Sequence, residues 1–238
     1  MIREIKLLCI PYAGEMGAVY YKWRKFADYN IEIIPIEMKG RGKRSQEPFD
    51  SSVKEVVQDI LLQIGDSIFE GRYAIFGHSM GSIIAFELVH ELQKKMFPLP
   101  MHIFFSGCMP PENMIREKKI CDIPDKEFKN EIIRLGGVPK EVRDNDEIFS
   151  LFLPILRADY KVVDEYVYSR HKEKIHCNIS VFYGEKDYTC SGDLLLDWKK
   201  YTDYDMNVYS FFGGHFFIVE NMQRVVETIN EVLLEQVR

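Results

Sequence analysis

Ser79 stands in Gly77-His78-Ser79-Met80-Gly81, directly after the apolar run Tyr73-Ala74-Ile75-Phe76 and directly before Ser82-Ile83-Ile84-Ala85-Phe86. A short apolar run, a Gly-x-Ser-x-Gly turn and a helical segment predict a strand, a sharp bend and a helix with the serine at the apex. The pattern alone arises by chance in roughly one chain of this length in ten, so the flanking strand and helix decide its meaning. A serine hydroxyl attacks carbonyls only when an imidazole takes its proton and an acid orients that imidazole.

The chain order expected on such a scaffold is serine, acid, histidine, each on a loop after a strand. Among the six histidines, His78 precedes the serine and packs or bonds locally, His90 falls in the following helix, and His102 in a strand. His171 and His176 lie on a polar segment ahead of the next strand. His215 alone follows a late strand, in Gly213-Gly214-His215-Phe216-Phe217, where two glycines let the loop turn back over the sheet. For the acid, Tyr183-Gly184-Glu185-Lys186-Asp187 closes an earlier strand and puts Asp187 at the turn. Its competitors are Glu185, nearer the strand end and pointing away, and Asp193, placed to cap the next helix. Oxyanion stabilisation needs backbone N–H donors. Met80, after the nucleophile, supplies one, and Ala13, in Pro11-Tyr12-Ala13-Gly14 after the first strand, supplies the other.

The elements that must position these groups alternate. Strands are expected at 6–10, 31–36, 101–106, 179–183 and 207–211, besides the one before Ser79. Helices are expected at 20–26, with Trp23 and Phe26 as packing residues, and at 194–201. Another carries Val225, Val226, Ile229, Val232 and Leu233 on one face. Ser52-Val53-Lys54-Glu55 is a capping box, and Val53, Val56, Val57, Ile60, Leu61, Ile64 and Ile68 predict one long amphipathic helix behind it. Gly40-Arg41-Gly42 reads as a mobile loop. This alternation implies a mainly parallel sheet with helices on both faces. From 110 to 171 charged helical segments replace strands, which reads as a helical lid insertion within a single α/β domain spanning 1–238.

Of 238 residues, 46% are hydrophobic and 13% aromatic, enough for a packed core. The net charge of −6, without a long basic cluster, excludes a nucleic-acid stripe. No apolar run reaches the ~18 residues of a membrane span, and the N-terminus has no signal-peptide core. Five scattered cysteines lack metal-type spacing, which points to reduced thiols in the cytoplasm and to no metal site.

With these residues in place the chain resembles the stand-alone type II thioesterases of the α/β-hydrolase superfamily, which edit nonribosomal peptide and polyketide synthetases. The resemblance runs through Pro11-Tyr12-Ala13-Gly14, Gly40-Arg41-Gly42, Gly77-His78-Ser79-Met80-Gly81, Leu135-Gly136-Gly137-Val138-Pro139, Leu153-Pro154-Ile155-Leu156-Arg157-Ala158-Asp159-Tyr160, Tyr183-Gly184 with Asp187, and Gly213-Gly214-His215-Phe216-Phe217. It implies the triad Ser79, Asp187 and His215, oxyanion amides at Ala13 and Met80, and no cofactor beyond the phosphopantetheine carried by the substrate. It also implies acyl or peptidyl carrier proteins as partners, docked by basic residues of the lid or nearby loops, and a monomer. Three places depart from the family: Glu15, expected to face solvent, Met38-Lys39 before Gly40, and Ser82 stand where it commonly has glycine, Leu-Pro and glycine. The same triad also serves carboxylesterases, lipases and acyltransferases.

Overall fold

A computed structural model describes residues 4–114, 119–136, 138, 140–190 and 192–237. Among them, the strands β1 (Ile5–Ile10), β2 (Ile31–Pro35), β3 (Arg72–His78), β4 (His102–Ser106), β5 (Asn178–Gly184) and β6 (Met206–Phe211) form one sheet in the order β2-β1-β3-β4-β5-β6. Every neighbouring pair is parallel. Parallel strands need crossovers that cover both faces, so the inner strands β1, β3, β4 and β5 are almost wholly buried, while the edge strand β6 keeps exposed Asn207, Val208 and Ser210.

The helices are α1 (Val53–Ile64), α2 (Met80–Lys94), α3 (Asp125–Leu135), α4 (Lys140–Arg143), α5 (Asp146–Asp164), α6 (Phe217–Glu220) and α7 (Met222–Glu235). On one face of the sheet, Leu8, Ile75, Phe105 and Val181 pack against α1, α2 and Trp198. On the other, Leu7, Ile33, Phe76 and Phe182 meet Tyr20, Trp23 and the apolar side of α7. Between β4 and β5 the helices α3 to α5 make a smaller core of their own from Phe128, Ile132, Phe149, Leu156 and Tyr160. This is the α/β-hydrolase arrangement with a helical insertion. Gly137 and Pro139 of the expected insertion motif lie outside the described residues.

Several local expectations are corrected. Ser52 caps α1 by accepting from the Glu55 amide, but the helix stops at Gly65, whose φ of +58° breaks it, and Ile68 enters the core from a separate 3₁₀ turn, Asp66–Glu70. The segments expected as helices at 20–26 and 194–201 are helical but of the tighter 3₁₀ kind, Gly17–Lys25 and Asp193–Tyr201. Their buried residues explain why: Gly17, Tyr20 and Trp23 in one, Leu195, Trp198 and Tyr201 in the other, are spaced by three. Three residues per turn put such a row on one face, where an α-helix would rotate it off. Asp193 makes no side-chain cap; Gly192 stands in that place. The 40–42 loop is held rather than loose, because Arg41 pairs with Asp159, Arg44 with Asp59 and Lys39 with Asp50.

The chain runs outward from β1 to β2 and then returns to β3 on the opposite side. The loops after β1 and β3 therefore part at a topological switch point, where open α/β sheets leave a crevice at the strand carboxyl ends.

Candidate active site

Ser79 sits at that crevice with φ +53° and ψ −115°, a conformation that costs a non-glycine residue about 1–3 kcal/mol. The surroundings enforce it. A side chain on Gly77 would meet the Gly81 carbonyl, and one on Gly81 the carbonyls of Ile10 and Pro11. The Ser79 amide donates to the Ser106 carbonyl at 2.8 Å. Ser82 ties the bend from inside: its hydroxyl lies 2.7 Å from the Gly77 carbonyl and 3.0 Å from that of Ser106, and accepts from the Ser106 amide at 2.9 Å. What is a departure from the family in sequence is a brace in three dimensions.

Asp187 and His215 reach the same place from the loops after β5 and β6. These loops touch through their backbones, since the Lys186 amide donates to the Gly213 carbonyl at 2.8 Å. A Cβ on Gly184 would strike the carbonyls of Gly213 and Gly214. His215 Nδ1–H donates to Asp187 Oδ2 at 2.7 Å, and the Ser79 hydroxyl lies 3.0 Å from His215 Nε2. An ionised carboxylate only accepts, so the proton sits on Nδ1 and the Nε2 lone pair faces Ser79. Asp187 is 1% exposed. Burial pushes its carboxyl up, but bonds from His215 and Thr189 outweigh that and hold it below the usual range.

Thr189 was not singled out in the sequence. Its amide and hydroxyl both donate to Asp187 Oδ1, at 2.9 and 2.6 Å. An Asp at a strand-end turn commonly accepts from the backbone amide two residues on, the Asx turn, and that signal could have pointed to position 189. Of the rival acids, Glu185 is exposed and accepts from Ser210. His78 bonds Ser106 Oγ through Nδ1 at 2.9 Å and wedges between Tyr12, His215 and Phe217. Burial, then the neighbouring His215, push it well below its ordinary value, so it is a neutral filler.

Met80 begins α2, where the first amides have no partner within the helix. Ala13 is half-buried in the turn after β1. Among the described residues neither amide donates to a protein group, so both are available to a ligand. Glu15 does not face solvent freely: its carboxylate accepts from the Tyr12 hydroxyl at 3.2 Å and the Met16 amide at 3.0 Å.

Ser79, Met80 and His215 open into a cavity of about 300 Å³. Its apolar walls come from Ile83 and Met109 below and from Tyr160, Val163 and Tyr166 of the insertion and its exit. Near the exposed Tyr188, the Arg134 guanidinium lies 5.1 Å from that ring. The arrangement is suited to nucleophilic attack by Ser79 on an acyl carbonyl whose chain lies under the insertion. Among the described residues no helix is long and apolar enough to cross a membrane.

Residues 5–233 match the family model of the thioesterase domain. The gramicidin S biosynthesis protein GrsT of Aneurinibacillus migulanus is 32% identical over 224 residues, 94% of this chain and 87% of that one. Thioesterase PikA5 of Streptomyces venezuelae is 27% identical over 230 residues, 97% of this chain and 81% of that one. The crystal structure of ClbQ from the colibactin NRPS/PKS pathway superposes with a TM-score of 0.93 at 37% identity, covering 99% of this chain and all of the other.

Proposed function

The chain belongs to the thioesterase domain family, and from that premise we propose that it hydrolyses acyl, aminoacyl or peptidyl thioesters on the phosphopantetheine arm of carrier proteins, clearing mis-primed or stalled synthetase modules. The observation that carries the reading is the hydrogen-bonded chain Asp187–His215–Ser79 opening into an acyl-sized cavity. Likeness to ClbQ, which comes from an NRPS/PKS pathway, and to GrsT, a gramicidin S biosynthesis protein, supports the carrier-bound substrate.

The steps follow from the geometry. Ser79 Oγ adds to the thioester carbonyl as His215 Nε2 takes its proton. The Ala13 and Met80 amides hold the oxyanion, a contribution of about 10²–10³ in rate for one such donor. Collapse expels the pantetheine thiolate, which receives the proton from His215, leaving an acyl-Ser79. Water, deprotonated by the same imidazole, adds to that ester, and collapse returns the proton to Ser79 and frees the acid. Asp187 holds the imidazole in the required tautomer and stabilises it when charged. No step calls on a metal or an organic cofactor.

Residues 110–171 act as the lid over the acyl group, within one α/β-hydrolase domain, 1–238, that works as a monomer. Cys9, Cys108, Cys121, Cys177 and Cys190 are buried and form no disulfide, which suits the reducing cytoplasm in which carrier proteins are loaded.

The test is deacylation of an acetyl-loaded carrier protein, followed by intact-protein mass spectrometry with wild type and Ser79→Ala side by side. Loss of the acyl mass with wild type alone supports the proposal. Cleavage of a simple oxygen ester without carrier turnover would replace it by an esterase reading, and turnover only with an added alcohol or amine by an acyltransferase reading.

A further inference from the structure

Arg41 and Asp159 form a buried ion pair, 3% and 4% exposed. The guanidinium donates Nη1 to Oδ2 at 2.6 Å and Nη2 to Oδ1 at 2.5 Å, a two-pronged fit between the loop after β2 and helix α5. Desolvation offsets most of the Coulomb gain of such a pair, so net stability is a poor reason for it. Location is a better one. Asp159 Oδ2 also accepts from the Gly14 amide at 2.7 Å, and Arg41 Nη1 reaches the Glu15 carbonyl at 3.2 Å.

Gly14 and Glu15 belong to a turn closed by the Glu15 amide on the Tyr12 carbonyl at 3.2 Å. Its φ of +85° gives Gly14 the backbone expected at the third position of a type II turn. Leu156, one turn before Asp159 on α5, fills the space a side chain on Gly14 would need. The turn is therefore gripped by Arg41, Asp159 and Leu156, and its second residue is Ala13.

We propose that Arg41 and Asp159 are positioning residues of the thioesterase reaction: they hold the 12–15 turn so that the Ala13 amide meets the oxyanion, and they make that donor depend on where α5 sits. The inference rests on the oxyanion role given to Ala13 above. Asp159 adjoins Tyr160, which with Val163 of the same helix lines the acyl cavity. One rigid element thus senses the acyl chain and sets the transition-state donor, and chain fit is read out in kcat. A donor displaced by about 1 Å costs on the order of 10²-fold in rate.

The experiment compares wild type, Asp159→Asn, Arg41→Lys and the apolar double variant Arg41→Leu with Asp159→Leu on acyl-carrier protein. It adds an alkyl boronic acid, which forms a tetrahedral adduct on Ser79, and a non-hydrolysable acyl-pantetheine amide. Each single variant is expected to lose about 10- to 100-fold in kcat with KM within about threefold. Boronate affinity should fall with kcat while amide binding holds. The double variant should regain thermal stability relative to the single variants, as apolar replacement of buried pairs often does, without regaining kcat. Arg41→Lys keeps the charge and carries the test if Asp159→Asn fails to fold. Unimpaired kcat in the single variants, a loss confined to KM and amide binding, or recovery of kcat together with stability in the double variant would each overturn the proposal. Absence of Ser79-dependent turnover in wild type would instead overturn the thioesterase reading, and this inference with it.

Discussion

Replacing Asp187 by Asn is nearly isosteric, yet the surroundings make it a severe change. The Thr189 amide and hydroxyl both donate to Oδ1, so that position must stay an acceptor and the new amide must keep its oxygen there. Its NH₂ is then forced into the Oδ2 position, 2.7 Å from His215 Nδ1. A donor facing Nδ1 makes that nitrogen an acceptor and moves the ring proton to Nε2, opposite Ser79. The imidazole can then no longer take the serine proton, and the imidazolium formed in the transition state loses its counter-charge. The same replacement in a serine-protease triad costs about 10⁴ in kcat, equivalent to about 5.5 kcal/mol of transition-state stabilisation. We expect a loss of that order in deacylation of acyl-carrier protein, with a thermal midpoint close to wild type because both Thr189 bonds survive. Asp187→Ala removes the carboxylate without imposing the wrong tautomer, so Asp187→Asn should be no more active than Asp187→Ala. Asp187→Asn activity within tenfold of wild type, or well above that of Asp187→Ala, would refute the tautomer argument.

Three further outcomes are expected. Gly81→Ala sets a Cβ against the Ile10 and Pro11 carbonyls, backbone that cannot swing aside, and should cost about 3 kcal/mol in urea unfolding; a cost under about 1 kcal/mol would mean the elbow relaxes. His102 is buried, bonded to Ser180 and Gln236, and burial pushes its pKa down to about 4. The unfolded chain therefore takes up a proton near pH 6.5 that the folded chain refuses until about pH 4. Stability should be unaffected by this group above neutrality and fall by roughly 3 kcal/mol between those values. Urea unfolding at pH 7.5 and 4.5 should show the fall reduced in His102→Gln, and an identical fall in both proteins would discount His102. Val163→Phe narrows the cavity of about 300 Å³ and should lower kcat/KM for octanoyl-carrier protein at least tenfold, in the range that apolar pocket changes reach, while acetyl turnover stays within threefold. Equal losses for both chains would place the acyl group elsewhere.

The succession of inner strands was legible because a parallel strand covered on both faces must be an apolar run bounded by turn residues. Ser79, Asp187 and His215 were candidates for a related reason. In a sheet of this connectivity the loops after β3, β5 and β6 leave the same edge, so residues at three strand ends become neighbours without any signal linking them directly. The glycines around them could be read too, because a tight bend or a close backbone approach leaves few other choices.

What the sequence alone determined is thus the periodic and the local: strand positions, the elbow, and the strand-end loops on which Ser79, Asp187 and His215 lie. Only the tertiary structure decided the rest. The two 3₁₀ segments follow from packing of residues spaced by three, which a helical reading absorbs without protest. Thr189 matters through the oxygen it leaves free for His215, and Ser82 through carbonyls of two other elements. Arg41 and Asp159 stand 118 residues apart, and nothing periodic joins them. Periodicity reports which way a side chain faces its own element; a polar contact between loops depends on where two separate backbones come to rest, and that is fixed only when the whole sheet and its insertion have packed.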